Sequence, residues 1–134
     1  MYTDIDIEDI VFKLVKGSAL ADAVSGGVHK VPRPKNSKSE DIVIKVIANE
    51  LDALQRAEVT VNVYVADTKD ETGQPVMARK RLRTLCPIAA AALEWHNTGR
   101  YIVKLIKQRV FAVEATAEHV INNRLELRLV NTNI

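Results

Sequence analysis

The chain has 134 residues, of which 47% are hydrophobic and 27% are charged, so it can bury one core without staples. Its single cysteine excludes a disulfide framework, and no apolar run is long enough to predict a membrane span. The net charge is +2, with 12 acids and 9 bases in residues 1–70 but 5 acids and 10 bases in residues 71–134. This asymmetry fits either a nucleic-acid surface or head-to-tail contacts between copies. The N-terminus lacks the basic region and apolar run of a signal peptide, so we expect folding in a cytoplasm.

The first part of the chain predicts two helices and a short strand. Thr3 or Asp4 can cap the first helix, because short oxygen-bearing side chains accept bonds from free backbone N–H groups. One apolar stripe with helical spacing follows, made of Ile7, Ile10, Val11, Leu14 and Val15. A second, short helix is predicted over residues 19–24. Residues 28–31 predict a strand that ends at Pro32, since proline cannot continue a hydrogen-bonded ladder.

Two strands are predicted in the middle of the chain. Residues 41–48 are apolar on both faces, which indicates a strand that is at least partly covered on each side. Residues 58–66 alternate valines with polar residues and are the clearest strand. We expect a wide hairpin loop or a single helical turn between them, and a polar connector over residues 66–75.

A long helix and a hairpin are predicted in the second half. The helix covers residues 76–96, and Pro87 is expected to kink or split it near Leu85 because proline removes a helical hydrogen bond. Its predicted buried stripe consists of Met77, Leu82, Leu85, Ile88, Ala89, Ala92 and Leu93. Residues 101–115 and 118–130 predict two long strands joined by a tight turn.

These elements predict one α+β domain over residues 1–134, in the order α-α-β-β-β-α-β-β. Consecutive strands without crossover helices favour an antiparallel sheet of about five strands with the helices packed on one face. No composition shift or long linker indicates a second domain.

No motif predicts a catalytic or metal site. His29, His96 and His119 have no ligand-like spacing to one another or to Cys86. Cys86 lies on the apolar face of the predicted helix, which is typical of a small buried hydrophobe rather than a nucleophile. The acidic segment 67–73 lacks the closing glutamate of a calcium loop. We therefore expect no enzymatic activity, no metal and no cofactor.

The strongest local charge feature is the run Arg79, Lys80, Arg81 and Arg83 at the start of the long helix. It can be a phosphate-contacting face, which makes a small nucleic-acid-binding module one alternative for the function. It can equally be a solvated face with salt bridges to a neighbouring element or subunit. No aromatic residues are interleaved with these cations, as they are in single-strand binders.

The order of elements resembles the tail-terminator proteins of tailed bacteriophages, also called tail-completion or head–tail joining proteins. An amphipathic helix leads to the short strand "GGVHKVPRP" and then to a polar loop that opens a strand. A single helix and a terminal hairpin complete the parallel, which covers nearly the whole chain. The most telling pieces are "RPKNSKSEDIVI" and the following "VTVNVYVADT".

The resemblance implies a small α+β domain that assembles into a ring, usually of six copies, at the head-proximal end of the tail tube. Such a ring stops tube polymerisation and joins the tail to the head. It implies self-association, tail-tube and head-connector partners, and passive contact with DNA that passes through the ring. It also implies a virion location after assembly in the host cytoplasm, with no membrane, catalysis or cofactor. Another head–tail connector or tube subunit is the nearest alternative.

The polar loop 32–39 has two interpretations. It is either a surface connection or an arm that docks on a neighbouring subunit or on the tube end, as loops on a rigid sheet commonly do. The candidate contact residues are Arg33, Lys35, Asn36 and Lys38. On this hypothesis, changing Arg33 and Lys38 to glutamate weakens assembly without unfolding the monomer.

Overall fold

The computed structural model describes residues 1–130, in which helices pack on one face of a β-sheet. The helices are α1 (Asp4–Lys16), α2 (Ala19–Ala23) and α3 (Arg79–Leu93). The strands are β1 (Val28–Lys30), β2 (Ile42–Glu50), β3 (Leu54–Ala66), β4 (Thr68–Lys69), β5 (Pro75–Val76), β6 (Trp95–Asn97), β7 (Tyr101–Val113) and β8 (Glu118–Val130). None of the helices in this described part of the chain has the length and apolar character needed to cross a membrane.

Six strands form one sheet in the order β1-β2-β3-β8-β7-β6, and β4 pairs only with β5. The α+β class is confirmed. The prediction of an antiparallel sheet of about five strands is wrong in its detail, because β1 runs parallel to β2, with Val28 opposite Ile42. The physical reason is the path of the loop 31–41, which carries the chain back along β1 before β2 begins. A tight hairpin turn would have forced the antiparallel arrangement.

Two of the predicted strands, β2 and β3, are longer than the sequence predicts, and three short strands are added to the predicted ones. β2 and β3 extend towards each other until Glu50 pairs with Arg56, so only a short turn remains between them. Buried Gln55 makes this extension possible, because its side chain bonds to both the N–H and the C=O of Tyr2 at 3.0 and 2.7 Å. The short strand β4 forms in the predicted connector, whereas β5 and β6 form at the two ends of the segment predicted as the long helix, which is shorter than predicted. Element boundaries carry the weakest local signal.

The first helix forms as predicted. Thr3 is its N-cap, and Thr3 and Asp6 exchange side-chain and backbone hydrogen bonds in a capping box. The backbone bond from Thr3 helps to lower the pKa of Asp6. Ile7, Val11 and Val15 are fully buried against the sheet. Burial of each such side chain contributes about 1.5–3 kcal/mol, so the apolar stripe fixes the helix to the sheet.

Pro87 does not split the long helix, since α3 is continuous from Arg79 to Leu93, and a kink at this proline stays a prediction. Buried side chains lie on both sides of the proline, with Leu85 before it and Ala89 and Leu93 after it. Packing of both halves on the sheet outweighs the loss of the one backbone bond that Pro87 cannot donate. The carbonyl left free belongs to Arg83, which is exposed to water.

The two faces of the sheet differ in composition. On β8 the odd-numbered residues Ile121, Leu125 and Leu127 are fully buried under the helices, and we name this side the helix-covered face. The even-numbered residues point the other way, because side chains alternate along a strand. These include Asn122 and Arg124, and we name their side the helix-free face.

Candidate functional site

The loop 31–41 is anchored to the helix-free face by Arg33. Its guanidinium donates to Asp41 Oδ2 at 2.9 Å and to both carboxylate oxygens of Glu118 at 2.9 and 2.8 Å. It also donates to the Ser39 carbonyl at 2.8 Å and stacks 4.2 Å from the centre of the Tyr64 ring. The planar guanidinium suits this arrangement, because it can bind a carboxylate with two parallel bonds while it covers an aromatic face.

Both acids of this cluster are almost completely buried. The side chains of Asp41 and Glu118 are 4% and 1% exposed, and that of Arg33 is 16% exposed. Hydrogen bonding from Arg33 lowers the pKa of Glu118 and, in turn, the same bond to Glu118 raises the pKa of Arg33. Burial acts to raise the pKa of Asp41, but hydrogen bonds from Ser37 and Arg33 outweigh it, and the pKa is lowered. All three groups are therefore charged at neutral pH.

The four candidate contact residues of the loop fall into two groups. Lys35, Asn36 and Lys38 are exposed on the anchored loop, and Asn36 has a left-handed backbone with φ of 61°. Arg33 instead points into the molecule and is fully engaged there. The expectation that Arg33→Glu spares the fold does not hold, because it would place three carboxylates in one buried cluster.

A second ion pair fixes the other side of the same loop. Arg81 of α3 donates to both carboxylate oxygens of Glu40 at 2.7 Å, and to the Ala23 carbonyl at 2.7 Å. Glu40 also accepts from the N–H of Ser25 at 3.0 Å. The bonds from Arg81 lower the pKa of Glu40. The consecutive acids Glu40 and Asp41 thus tie the end of the loop to the helix layer and to the helix-free face, respectively.

The basic run at the start of α3 is divided in the same way. Arg81 forms an ion pair with Glu40. For this one cation the structure agrees with the interpretation of the run as a helix face with salt bridges to a neighbouring element. Arg79, Lys80 and Arg83 are exposed. Three cations thus remain available for an external anion at this helix.

The other reactive side chains have intramolecular partners. His119 Nδ1 lies 2.6 Å from Asp67 Oδ1, and His96 Nε2 lies 2.8 Å from the Ala92 carbonyl. Burial raises the pKa of Cys86, which disfavours the reactive thiolate. Within residues 1–130, no group of three or more histidine, cysteine or acidic side chains has the geometry of a metal site.

A wide groove of about 800 Å³ lies between α1 and the ends of β6, β7 and β8. Its lining is mixed, with the apolar or aromatic side chains of Tyr2, Ile10, Leu14 and Tyr101 and the charged side chains of Asp6, Asp9 and Lys13. The histidine and both acids of the groove have partners: His96 Nε2 lies 2.8 Å from the Ala92 carbonyl, Asp6 belongs to the capping box and Asp9 pairs with Lys30.

The sequence did not reveal Glu118 and Tyr64 as partners of Arg33. Glu118 is 85 positions away along the chain. The available signal was the period of two in β3 and β8, which places both residues on the same face of the sheet. The strand period alone does not identify these two residues as partners of Arg33, because that also requires the path of the loop 31–41. Comparison of the chain with protein-family models and with curated proteins finds no match.

Proposed function

We propose that this chain is a non-enzymatic virion protein of a tailed phage or prophage, a tail terminator. In this proposal copies of the chain form a ring that caps the tail tube and joins it to the head connector. The observation that carries the proposal is the order of elements, from an amphipathic helix through a sheet and a single helix to a long terminal hairpin. This order extends over nearly the whole chain.

The anchored loop supports a role in contacts between proteins. Arg33 on one side and Glu40 on the other hold the loop to the domain, so little conformational entropy is lost when it docks. Lys35, Asn36 and Lys38 project from this fixed base into solvent. Such an arm suits an acidic surface on a neighbouring subunit or on the end of the tube.

A second surface also suits protein contacts. Leu54 and Val130 are directly opposite each other at the end of β3 and β8, and each is about half exposed. Leu51 in the adjoining turn is exposed as well. An apolar group of this kind at one end of a domain is typical of a surface that a partner covers.

The proposal is tested by the mass of the purified protein in solution, measured by light scattering over a range of concentrations and followed by negative-stain imaging. We expect rings of about six copies, in solution or on the ends of added tail tubes. A monomer at every concentration that also fails to bind tube ends would contradict the proposal.

A double variant of the loop 31–41 and a matched control test whether the loop acts as a docking arm. The double change Lys35→Glu and Lys38→Glu is expected to reduce ring formation or tube binding at least tenfold, because it reverses the charge of the arm. The matched control is Lys69→Glu with Lys80→Glu, which reverses two exposed lysines elsewhere. Equal losses in the two variants would remove the arm from the proposed interface.

A further inference from the structure

A row of cations follows the helix-free face along β7. Residues of β7 that pair with even-numbered residues of β8 lie on this face. The pairs are Ile102 with Arg128, Lys104 with Glu126, Lys107 with Arg124, Arg109 with Asn122, Phe111 with Val120 and Val113 with Glu118. We name Lys104, Lys107, Arg109 and Arg124 the basic stripe. Across the sheet, Thr60 of β3 is opposite Arg124, and Lys45 of β2 is opposite Thr60. Lys107, Arg124, Thr60 and Lys45 therefore form a line across four strands.

In the described part of the chain the basic stripe forms no internal ion pair, although Glu126 is directly opposite Lys104, because Glu126 binds Arg56 and Arg128 instead. Within residues 1–130, no carboxylate oxygen lies within 4 Å of the charged nitrogens of the stripe. Lys107 and Arg124 are directly opposite each other, an arrangement that destabilises a sheet. Arg124 Nε is buried and has no hydrogen-bond partner among the described residues.

A second pair of opposed cations on the same face shows the contrast. Arg56 is directly opposite Arg128, but Glu126, two residues from Arg128 on the same face of β8, binds both at 2.9 Å. The fold therefore neutralises one pair of facing cations and leaves the other without an anion. An external anion would complete the second pair in the way that Glu126 completes the first.

Protection of a sheet edge does not account for the whole of the basic stripe. Lysines on edge strands commonly prevent edge-to-edge association, and most of β7 is an edge because β6 pairs only with residues 102–104. Arg124, however, lies on β8 between β3 and β7, where there is no edge to protect.

Exposed aromatic rings border the stripe at both ends. Trp95 of β6 pairs with Lys104 and is 56% exposed, and Phe111 of β7 is 44% exposed. Arg109 lies 5.3 Å from the centre of the Phe111 ring. The distance along β7 from Lys104 to Phe111 is roughly 20 Å, from the rise per residue of a strand. Cations that track a backbone together with exposed aromatic rings are the elements of a single-strand binding surface.

The acids of the chain match the length of the basic stripe less well than a phosphate backbone does. Asp41, Glu118 and Glu126 are among the acids that form ion pairs within the molecule. Asp4 and Asp6 form an exposed acidic group, but they occupy only the first turn of α1. Other exposed acids without an ion pair are on separate elements, and examples are Asp22, Glu50, Glu71, Glu94 and Glu114. A phosphate backbone instead supplies regularly spaced negative charges, so it fits the stripe better than a second copy of the chain.

We propose that the helix-free face binds single-stranded nucleic acid, with phosphates along the basic stripe and bases against Trp95 and Phe111. The proposal is independent of the tail-terminator function. It also differs from the basic-helix hypothesis, because it uses none of the cations of α3.

The test is the affinity of the full chain for a fluorescent single-stranded DNA of about 12 nucleotides, with a duplex of the same length in parallel, at salt concentrations from about 50 mM upwards. We expect the single strand to bind more tightly. Lys107→Gln with Arg109→Gln should weaken its binding at least tenfold. This variant should also reduce the slope of log K against log salt by about 1.4, since each phosphate contact to a single strand contributes about 0.7.

The control is Arg79→Gln with Lys80→Gln, which removes two exposed charges from α3 instead. It should change the affinity less than threefold. Trp95→Ala and Phe111→Ala should each weaken single-strand binding about fivefold or more, because stacking on an aromatic ring is worth about 1–3 kcal/mol per base. Circular dichroism and urea unfolding confirm that each variant is folded.

Three results would overturn the proposal. The first is no detectable binding of the single strand by the unaltered chain at the lowest salt. The second is an equal loss of affinity in the α3 control, which would assign binding to overall charge or to the helix. The third is tighter binding of the duplex with no effect of the two aromatic variants, which would exclude base stacking on this face.

Discussion

The same strands form both faces of the sheet, but the side chains on the two faces differ in polarity. On the helix-covered face of β8, Ile121, Leu125 and Leu127 are fully buried and nonpolar. On the helix-free face of the same strand, Glu118 and Arg124 alternate with them as charged residues. Burial of apolar area stabilises the fold on the first face, whereas on the second face each charge needs a partner. The comparison places the apolar stabilisation of the fold on the helix-covered face, and it is the helix-free face on which we propose a binding surface.

The helix-free face is itself divided. At one end, Arg33, Asp41 and Glu118 satisfy one another and hold a loop in place. Along β7, Lys107 faces Arg124 with no anion between them. Paired charges thus serve the architecture of the chain, and the unpaired ones form the proposed ligand surface.

The largest expected effect is on the helix-covered face. Leu127→Ala should lower the free energy of unfolding by about 2–5 kcal/mol, because it leaves a cavity in a fully buried position. The measurement is urea unfolding followed by circular dichroism. The matched control is Leu54→Ala on the adjacent strand, where the side chain is exposed and the expected loss is below about 1 kcal/mol. Similar losses at both sites would contradict the assignment of the core.

The next effect tests the paired end of the helix-free face. Glu118→Gln should lower the free energy of unfolding by about 1.5–3 kcal/mol, since it weakens charge-assisted bonds to Arg33. Glu126→Gln is the control on the same strand and face, where the partners Arg56 and Arg128 are about half exposed. It should cost no more than about 1 kcal/mol. An equal cost for both changes would mean that Arg33 is not a structural anchor.

The same cluster predicts a pH dependence. Because Arg33 holds the pKa of Glu118 below its ordinary value of 4.5, the unfolded chain takes up the proton first as the pH falls. The stabilisation by this group is therefore complete above pH 4.5 and is lost as the pH falls through the lower pKa of the folded state. Urea unfolding of the unaltered chain and of Glu118→Gln should differ most at neutral pH and converge in acid. A difference that stays constant down to the acid limit of folding would contradict this account.

Local patterns predicted much of the helix-covered face. The stripe Ile7, Val11 and Val15 follows from helical spacing alone, and the period of two in β8 identifies its buried residues. The parallel pairing of β1 with β2 could not be predicted in this way, because it depends on the route of the loop 31–41. The continuity of α3 through Pro87 depends on packing against the sheet, which single-residue propensity does not include.

The helix-free face was harder to predict for the same reason. The sequence predicts Arg33 as a candidate contact residue of the loop, but its partner Glu118 lies at the start of the last strand. The basic stripe also remained hidden, since Lys107 and Arg124 become neighbours only through the register of β7 and β8. A bulge between Leu105 and Lys107 shifts that register, so counting along the chain gives the wrong face for half of β7.

The smallest expected effect has the opposite sign. Lys107→Gln should raise the free energy of unfolding by about 0.2–1 kcal/mol, because it removes repulsion between directly opposed like charges. The gain should shrink as salt is added, since Lys107 is exposed and its charge is screened. The control is Arg128→Gln, which removes an opposed cation whose partner Glu126 already neutralises it, and should leave stability unchanged or lower it. The measurement is urea unfolding of both variants at low and at high salt, and only Lys107→Gln should show a gain that depends on salt. A loss of stability on Lys107→Gln would mean that the stripe contributes to the fold, and the contrast between paired and unpaired charges would then not separate architecture from binding.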